Sequence, residues 1–210
     1  MTRVVYLHGF ASSPASSKAR YFREKLEAAG ALVDVPDLAE GDFEHLTITG
    51  QLRVMERVAG GRPASLIGSS MGGYLAALYG ARHAEVERIA LLAPAFRFAR
   101  GWKEELGPAR IAEWHRDRVM PVFHYGANTE RDLSFQLFED AERYEDYPDF
   151  QQPALIFHGS HDATVPPRYS EEFAARHPNA RLEIVDSGHD LLNVLEEIAP
   201  KVVRFLSGTG

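Results

Sequence analysis

Short apolar runs bounded by Gly, Pro or Asp recur along the chain at Val4–Leu7, Leu32–Val35, Ser65–Ile67, Ile89–Leu92, Ala154–Phe157 and Leu182–Val185. They are continuous rather than alternating, the pattern of strands buried on both faces of a parallel sheet. Helical periodicity fills most of the intervals. Lys18–Ala29 sets Tyr21, Phe22, Leu26 and Ala29 on one face and stops at Gly30, a residue suited to the position after a helix. Thr47–Ala59 sets Leu52, Met55 and Val58 on one face, and Met71–Ala81 is Ala- and Leu-rich nearly all round, as in a buried helix. A last helix is predicted over Leu191–Leu206. Strands alternating with helices predict an α/β fold, a mainly parallel sheet of about six strands with helices on both faces.

The rhythm breaks between Ala95 and Gln152, where no run reads as a strand. Pro108–Asp117 and Asp132–Tyr144 read as helices, and both tryptophans fall in this interval. It is too long for a plain connection. The expectation is a single domain over residues 1–210 with a small, mostly helical, cap-like insertion around residues 97–150. Trp102, Trp114, Phe123, Tyr125 and Phe135 are its candidates for lining a substrate pocket, or else for packing the insertion onto the core.

Composition narrows the options. With 210 residues, 45% hydrophobic and 25% charged, the chain is long enough for one sizeable core. The net charge of −7 disfavours nucleic acid and anionic membrane as partners. No apolar run is long enough for a membrane span, and Met1–Arg3 leads straight into an apolar strand without a signal-peptide pattern. A cytoplasmic location is the expectation. The absence of cysteine removes disulfides, thiolate zinc sites and a cysteine nucleophile.

In open α/β sheets the ligand site lies beyond the carboxyl ends of the strands, so the residues after each run carry the chemistry. The first run is followed by His8-Gly9-Phe10, the third by Gly68-Ser69-Ser70-Met71-Gly72, the fifth by His158-Gly159-Ser160-His161-Asp162, and the last by Asp186-Ser187-Gly188-His189. The second of these matches G-x-S-x-G, a weak signal alone and a strong one between a strand and a helix. Ser70 is the candidate nucleophile, His189 the general base and Asp162 its orienter, in the chain order used by serine hydrolases on parallel α/β sheets. The competing carboxylates are less well placed: Asp37 follows a distant strand, and Asp186 and Asp190 are local to His189. The backbone N–H groups of Phe10 and Met71 are the candidate oxyanion donors. His158 and His161 with Asp162 suggest a metal site, but zinc catalysis needs three convergent ligands and an open position, and no H-E-x-x-H or similar array is present. No metal is expected, and His8 and His158 read as structural.

HGFASSP, GSSMGG, HGSHDATVP and SGHD occur in an order and at spacings that resemble the α/β-hydrolase superfamily over the length of the chain. The sequence is most similar to small bacterial serine esterases whose first strand runs into an HGF-S-S-P loop. The resemblance implies an α/β-hydrolase fold, a triad of Ser70, Asp162 and His189, an oxyanion hole at Phe10 and Met71, and no cofactor. Larger members carry two further strands before the His-Gly loop, which this sequence leaves no room for. The expected reaction is hydrolysis of a small-molecule carboxylic ester through an acyl-enzyme. A thioesterase and a non-catalytic binding protein on a hydrolase fold are the alternatives. Substrate identity and oligomeric state are not legible from these residues.

Overall fold

The computed structural model describes residues 2–208. Six parallel strands form the central sheet: β1 (Arg3–Leu7), β2 (Leu32–Asp34), β3 (Ala64–Ser69), β4 (Val86–Leu92), β7 (Ala154–Gly159) and β8 (Ala180–Val185), in the order β2-β1-β3-β4-β7-β8. Every run read as a strand in the sequence is one of these, with shifts only at the ends.

Alternate side chains of the strands enter two separate cores. Val4, Tyr6, Ile67, Ala90, Leu92, Leu155 and Phe157 pack under α1 (Ser17–Ala28) and α7 (Leu195–Leu206). Val5, Leu7, Leu66, Ile89, Leu91 and Ile156 pack under α2 (Ile48–Ala59), α3 (Met71–Gly80) and α6 (Arg168–Ala174). Ser16 caps α1 by accepting from the Ala19 amide, and Thr47 caps α2 by accepting from the Gly50 amide. All ten residues of α3 are buried, as its apolar composition predicts.

The insertion is only partly helical. α4 (Phe98–Asp117) is interrupted at Gly107-Pro108, where proline excludes helical geometry from the residue before it. An antiparallel hairpin follows, β5 (Val119–His124) and β6 (Thr129–Ser134), and then the short α5 (Gln136–Ala141). This corrects the expectation of an insertion without strands, and the helix expected over Asp132–Tyr144 is reduced to α5. Pro121 breaks the apolar run within β5 and Thr129-Glu130-Arg131-Asp132 in β6 are exposed, so neither strand has the apolar run of a core strand.

Two contacts set the geometry of the turn between β3 and α3. A Cβ on Gly68 would fall on the carbonyl of Gly72, and a Cβ on Gly72 would fall on the carbonyls of Leu7 and His8. Strand, helix and the end of β1 therefore meet backbone to backbone. Gly72→Ala is expected to destabilise the protein by about 3 kcal/mol, because backbone rather than a flexible side chain must yield. A urea midpoint within error of wild type would contradict this close approach.

Candidate active site

Strand order reverses at β1, whose neighbours are β2 on one side and β3 on the other. The turns after β1 and β3 thus open onto the switch point where open α/β sheets hold ligands. Ser70 sits at the tip of the β3 turn with φ 55° and ψ −118°, a strained backbone for a residue with a side chain. Its amide donates to the Leu92 carbonyl at 2.9 Å, and its carbonyl accepts from the amides of Gly73, Tyr74 and Ala95. This pinned turn leaves the Ser70 hydroxyl at the mouth of the sheet and at the N-terminus of α3.

The hydroxyl of Ser70 lies 2.9 Å from His189 Nε2, and His189 Nδ1 lies 2.7 Å from Asp162 Oδ2. A carboxylate only accepts, so the Nδ1 proton points at Asp162 and Nε2 is free to accept from Ser70. Asp162 Oδ1 accepts from the amides of Thr164 at 2.9 Å and Val165 at 2.8 Å. The side chain of Asp162 is fully buried and that of His189 is a quarter exposed. Burial alone would raise the Asp162 carboxyl. Hydrogen bonds from His158 and His189, the charge of His189 and the Val165 amide outweigh it and hold the carboxyl well below the usual carboxylate range.

The competing carboxylates are occupied elsewhere. Asp37 accepts from the amides of Ala39 and Gly41, Asp186 from His161, and Asp190 from the Leu192 amide. His158 does more than fill space. Its Nε2 lies 2.8 Å from the Val165 carbonyl and 3.1 Å from Asp162 Oδ2, and its Nδ1 lies 2.7 Å from the Ser170 hydroxyl. Two acceptors on Nε2 fix its proton there, so His158 braces Asp162 from below. The sequence signals only a buried histidine at a strand end.

His8 Nε2 accepts from the Leu38 amide at 3.3 Å, which anchors the loop after β1, and burial holds this imidazole below its ordinary pKa. Gly9 lies against the Ser69–Ser70 backbone, where an added Cβ would stand 3.4 Å from Ser70 Cβ. The next residue is Phe10. Among the described residues, the Phe10 and Met71 amides have no intramolecular acceptor. The Phe10 ring packs outward, its centroid 5.6 Å from Phe43 and 5.2 Å from Trp102.

Ser70 and His189 open onto a cleft of about 1160 Å³. The insertion supplies apolar lining through Trp102, Leu106, Met120, Val122, Phe123 and Tyr125, while the loop after β1 and the start of α1 supply Ser12, Ser13, Ser16, Ser17 and Lys18. The hairpin tip reaches that loop, where the Gly126 amide donates to the Ala11 carbonyl at 3.3 Å. Trp102, Phe123 and Tyr125, three of the five aromatics singled out in the sequence, line this cleft. Trp114 and Phe135 do not. Trp114 is buried and donates Nε1–H to the Leu133 carbonyl at 2.9 Å, and Phe135 packs edge-on against it with centroids 5.1 Å apart. Both form the insertion's own core, the ordinary fate of large aromatics. Lys18, Met120 and Val122 were missed in the sequence, Lys18 because it opens an ordinary amphipathic helix.

Among the described residues no group of three or more His, Asp or Glu is arranged to hold a metal ion, and no helix is long and apolar enough to cross a membrane.

This sheet order, with its turn after β3, is the α/β-hydrolase fold. Among solved structures, the chain is similar to the ferulic acid complex of Est1E from Butyrivibrio proteoclasticus (TM-score 0.81, 19% identity, 99% of this chain and 89% of that one). It is similar also to α/β hydrolase domain-containing protein 10 from mouse (TM-score 0.83, 16% identity, 99% and 90%) and to the monoacylglycerol lipase of Paleococcus ferrophilus (TM-score 0.74, 16% identity, 99% and 95%). At these identities the likeness is one of fold. Residues 3–207 match the uncharacterised protein family UPF0227, and the chain belongs to that family. No curated protein matches the sequence.

Proposed function

We propose that the protein is a serine hydrolase that cleaves carboxylic esters. The observation that carries this reading is the hydrogen-bonded series Ser70–His189–Asp162 at 2.9 and 2.7 Å, built on a strained turn that opens to an apolar cleft. Ser70 Oγ attacks the ester carbonyl carbon and passes its proton to His189 Nε2. Asp162 remains ionised, holds the required tautomer and stabilises the imidazolium. The tetrahedral oxyanion accepts hydrogen bonds from the Phe10 and Met71 amides, beside the positive end of α3. The intermediate collapses, the bond to the leaving oxygen breaks, and His189 protonates that oxygen. Water, deprotonated by His189, then attacks the acyl-enzyme and releases the acid and Ser70.

The names of the similar structures, Est1E with ferulic acid bound and a monoacylglycerol lipase, are compatible with this chemistry. The apolar lining from Trp102, Met120 and Val122 suits a short acyl or an aryl group. The test is hydrolysis of p-nitrophenyl acetate and butyrate beside their matched thioesters. Steady turnover of the oxoesters with a higher kcat/KM than the thioesters is the expected result. A reversed preference would make the protein a thioesterase, and turnover of neither would leave a binding protein on this fold.

A further inference from the structure

Lys18 lies in the wall of this cleft with no carboxylate partner. Its Nζ donates to the Ser69 hydroxyl at 3.0 Å, and among the described residues it forms no ion pair. The other lysines of the chain, Lys25, Lys103 and Lys201, each pair with a glutamate at the surface. Position also works against Lys18. It stands in the first turn of α1, where the helix dipole favours an acid and repels a cation. A half-buried ammonium at the positive end of a helix, offset only by the charges of Asp190 and Asp162 without a direct ion pair, breaks a local rule, and such conflicts concentrate at functional sites.

We propose that Lys18 is the docking point for a free carboxylate on the substrate, so that the preferred substrates are esters of molecules bearing a second, ionised carboxyl group. This rests on the esterase reading and names its substrate class. Ser69 precedes Ser70, and consecutive Cα atoms are about 3.8 Å apart. The ammonium held at Ser69 and the hydroxyl of Ser70 thus line one cleft from residues adjacent in the chain, within reach of a single small substrate. One Lys18 donor is used by Ser69 and two remain for an anion.

The ammonium titrates in a useful range. Burial pulls it down, opposed by the charges of Asp190 and Asp162, to about 8. The titratable groups that share its cleft are Tyr6 on β1, Glu105 on α4, Tyr125 after β5, and His189 and Asp190 after β8, with the buried Asp162 acting through its charge. Burial keeps the Tyr6 hydroxyl neutral. The lysine is charged below about pH 8 and neutral above it, so preference for an acidic ester is present below that pH and lost above it.

The test compares kcat/KM for two matched pairs in wild type, Lys18→Met and Lys18→Arg. One pair carries the acid on the alcohol side, 4-carboxyphenyl acetate against phenyl acetate. The other carries it on the acyl side, mono-p-nitrophenyl adipate against p-nitrophenyl hexanoate. The acidic-to-neutral ratio of at least one pair is expected to fall about 10- to 100-fold in Lys18→Met, the worth of a charge-assisted hydrogen bond, and to fall less in Lys18→Arg. In wild type that ratio should decline as the pH rises through about 8. Any pH dependence of the triad acts on both members of a pair and cancels. Ratios equal in wild type and Lys18→Met for both pairs would overturn the proposal, and a parallel loss on acidic and neutral esters would reduce Lys18 to a brace for Ser69. Turnover of no ester by wild type would instead overturn the esterase reading, and this inference with it.

Discussion

Ser70→Ala is expected to lower kcat on p-nitrophenyl butyrate by about 10⁴- to 10⁶-fold and leave the fold intact. The magnitude follows from the unit character of a triad, in which loss of the nucleophile removes the covalent route and leaves only oxyanion stabilisation and binding. Such a loss corresponds to about 5–8 kcal/mol of transition-state stabilisation. Stability should hardly change. Alanine meets the same strained backbone at φ 55° that serine does, and the turn is held by its backbone bonds to Leu92, Gly73, Tyr74 and Ala95. Unfolding by urea beside the activity assay separates the two effects. A variant that keeps a tenth of wild-type turnover would remove Ser70 from the chemistry.

Asp162→Asn is expected to cost about 10⁴-fold in kcat with KM little altered. Asparagine fits the space and still offers Oδ1 to the Thr164 and Val165 amides. Its amide group would then meet His189 Nδ1, 2.7 Å from the present Oδ2, as a donor. The imidazole proton must move to Nε2, which can no longer accept from Ser70. The same amide would face Nε2–H of His158, 3.1 Å from that oxygen, so this donor keeps only the Val165 carbonyl and meets a second donor. Asp186→Asn is the control, because Asp186 pairs with exposed His161 and not with His189. Less than a tenfold loss in Asp162→Asn would transfer the orienting role to another group.

Much of this geometry was legible in the sequence. The inner strands β1, β3, β4 and β7 each hold an apolar run closed by a turn residue, since a strand buried on both faces tolerates little else, whereas the edge strands β2 and β8 are part-exposed and carry Asp34 and Glu183. Gly68 and Gly72 flank Ser70 because backbone passes where their side chains would be. Asp162 and His189 could be paired from position alone, because β7 and β8 are adjacent in the sheet and in the chain. What stayed hidden depends on contacts between distant segments. The hairpin of β5 and β6 is largely exposed and carries Pro121 and several charges, so neither period nor apolarity marks it. Trp102 and Trp114 lie on either side of the break in α4 and differ in what they meet, the cleft for the first and the Leu133 carbonyl for the second. His158 under Asp162 and Lys18 beside Ser69 carry no motif, and only their neighbours give them meaning.

The central claim is that Ser70 is the nucleophile of this fold. Treating the native protein with a fluorophosphonate and mapping the adduct by peptide mass spectrometry tests it most directly. The expected result is one adduct per chain, on Ser70, formed rapidly in the folded protein and lost after heat denaturation or in His189→Ala. An adduct on any other residue, or none on a protein shown to be folded, would contradict it.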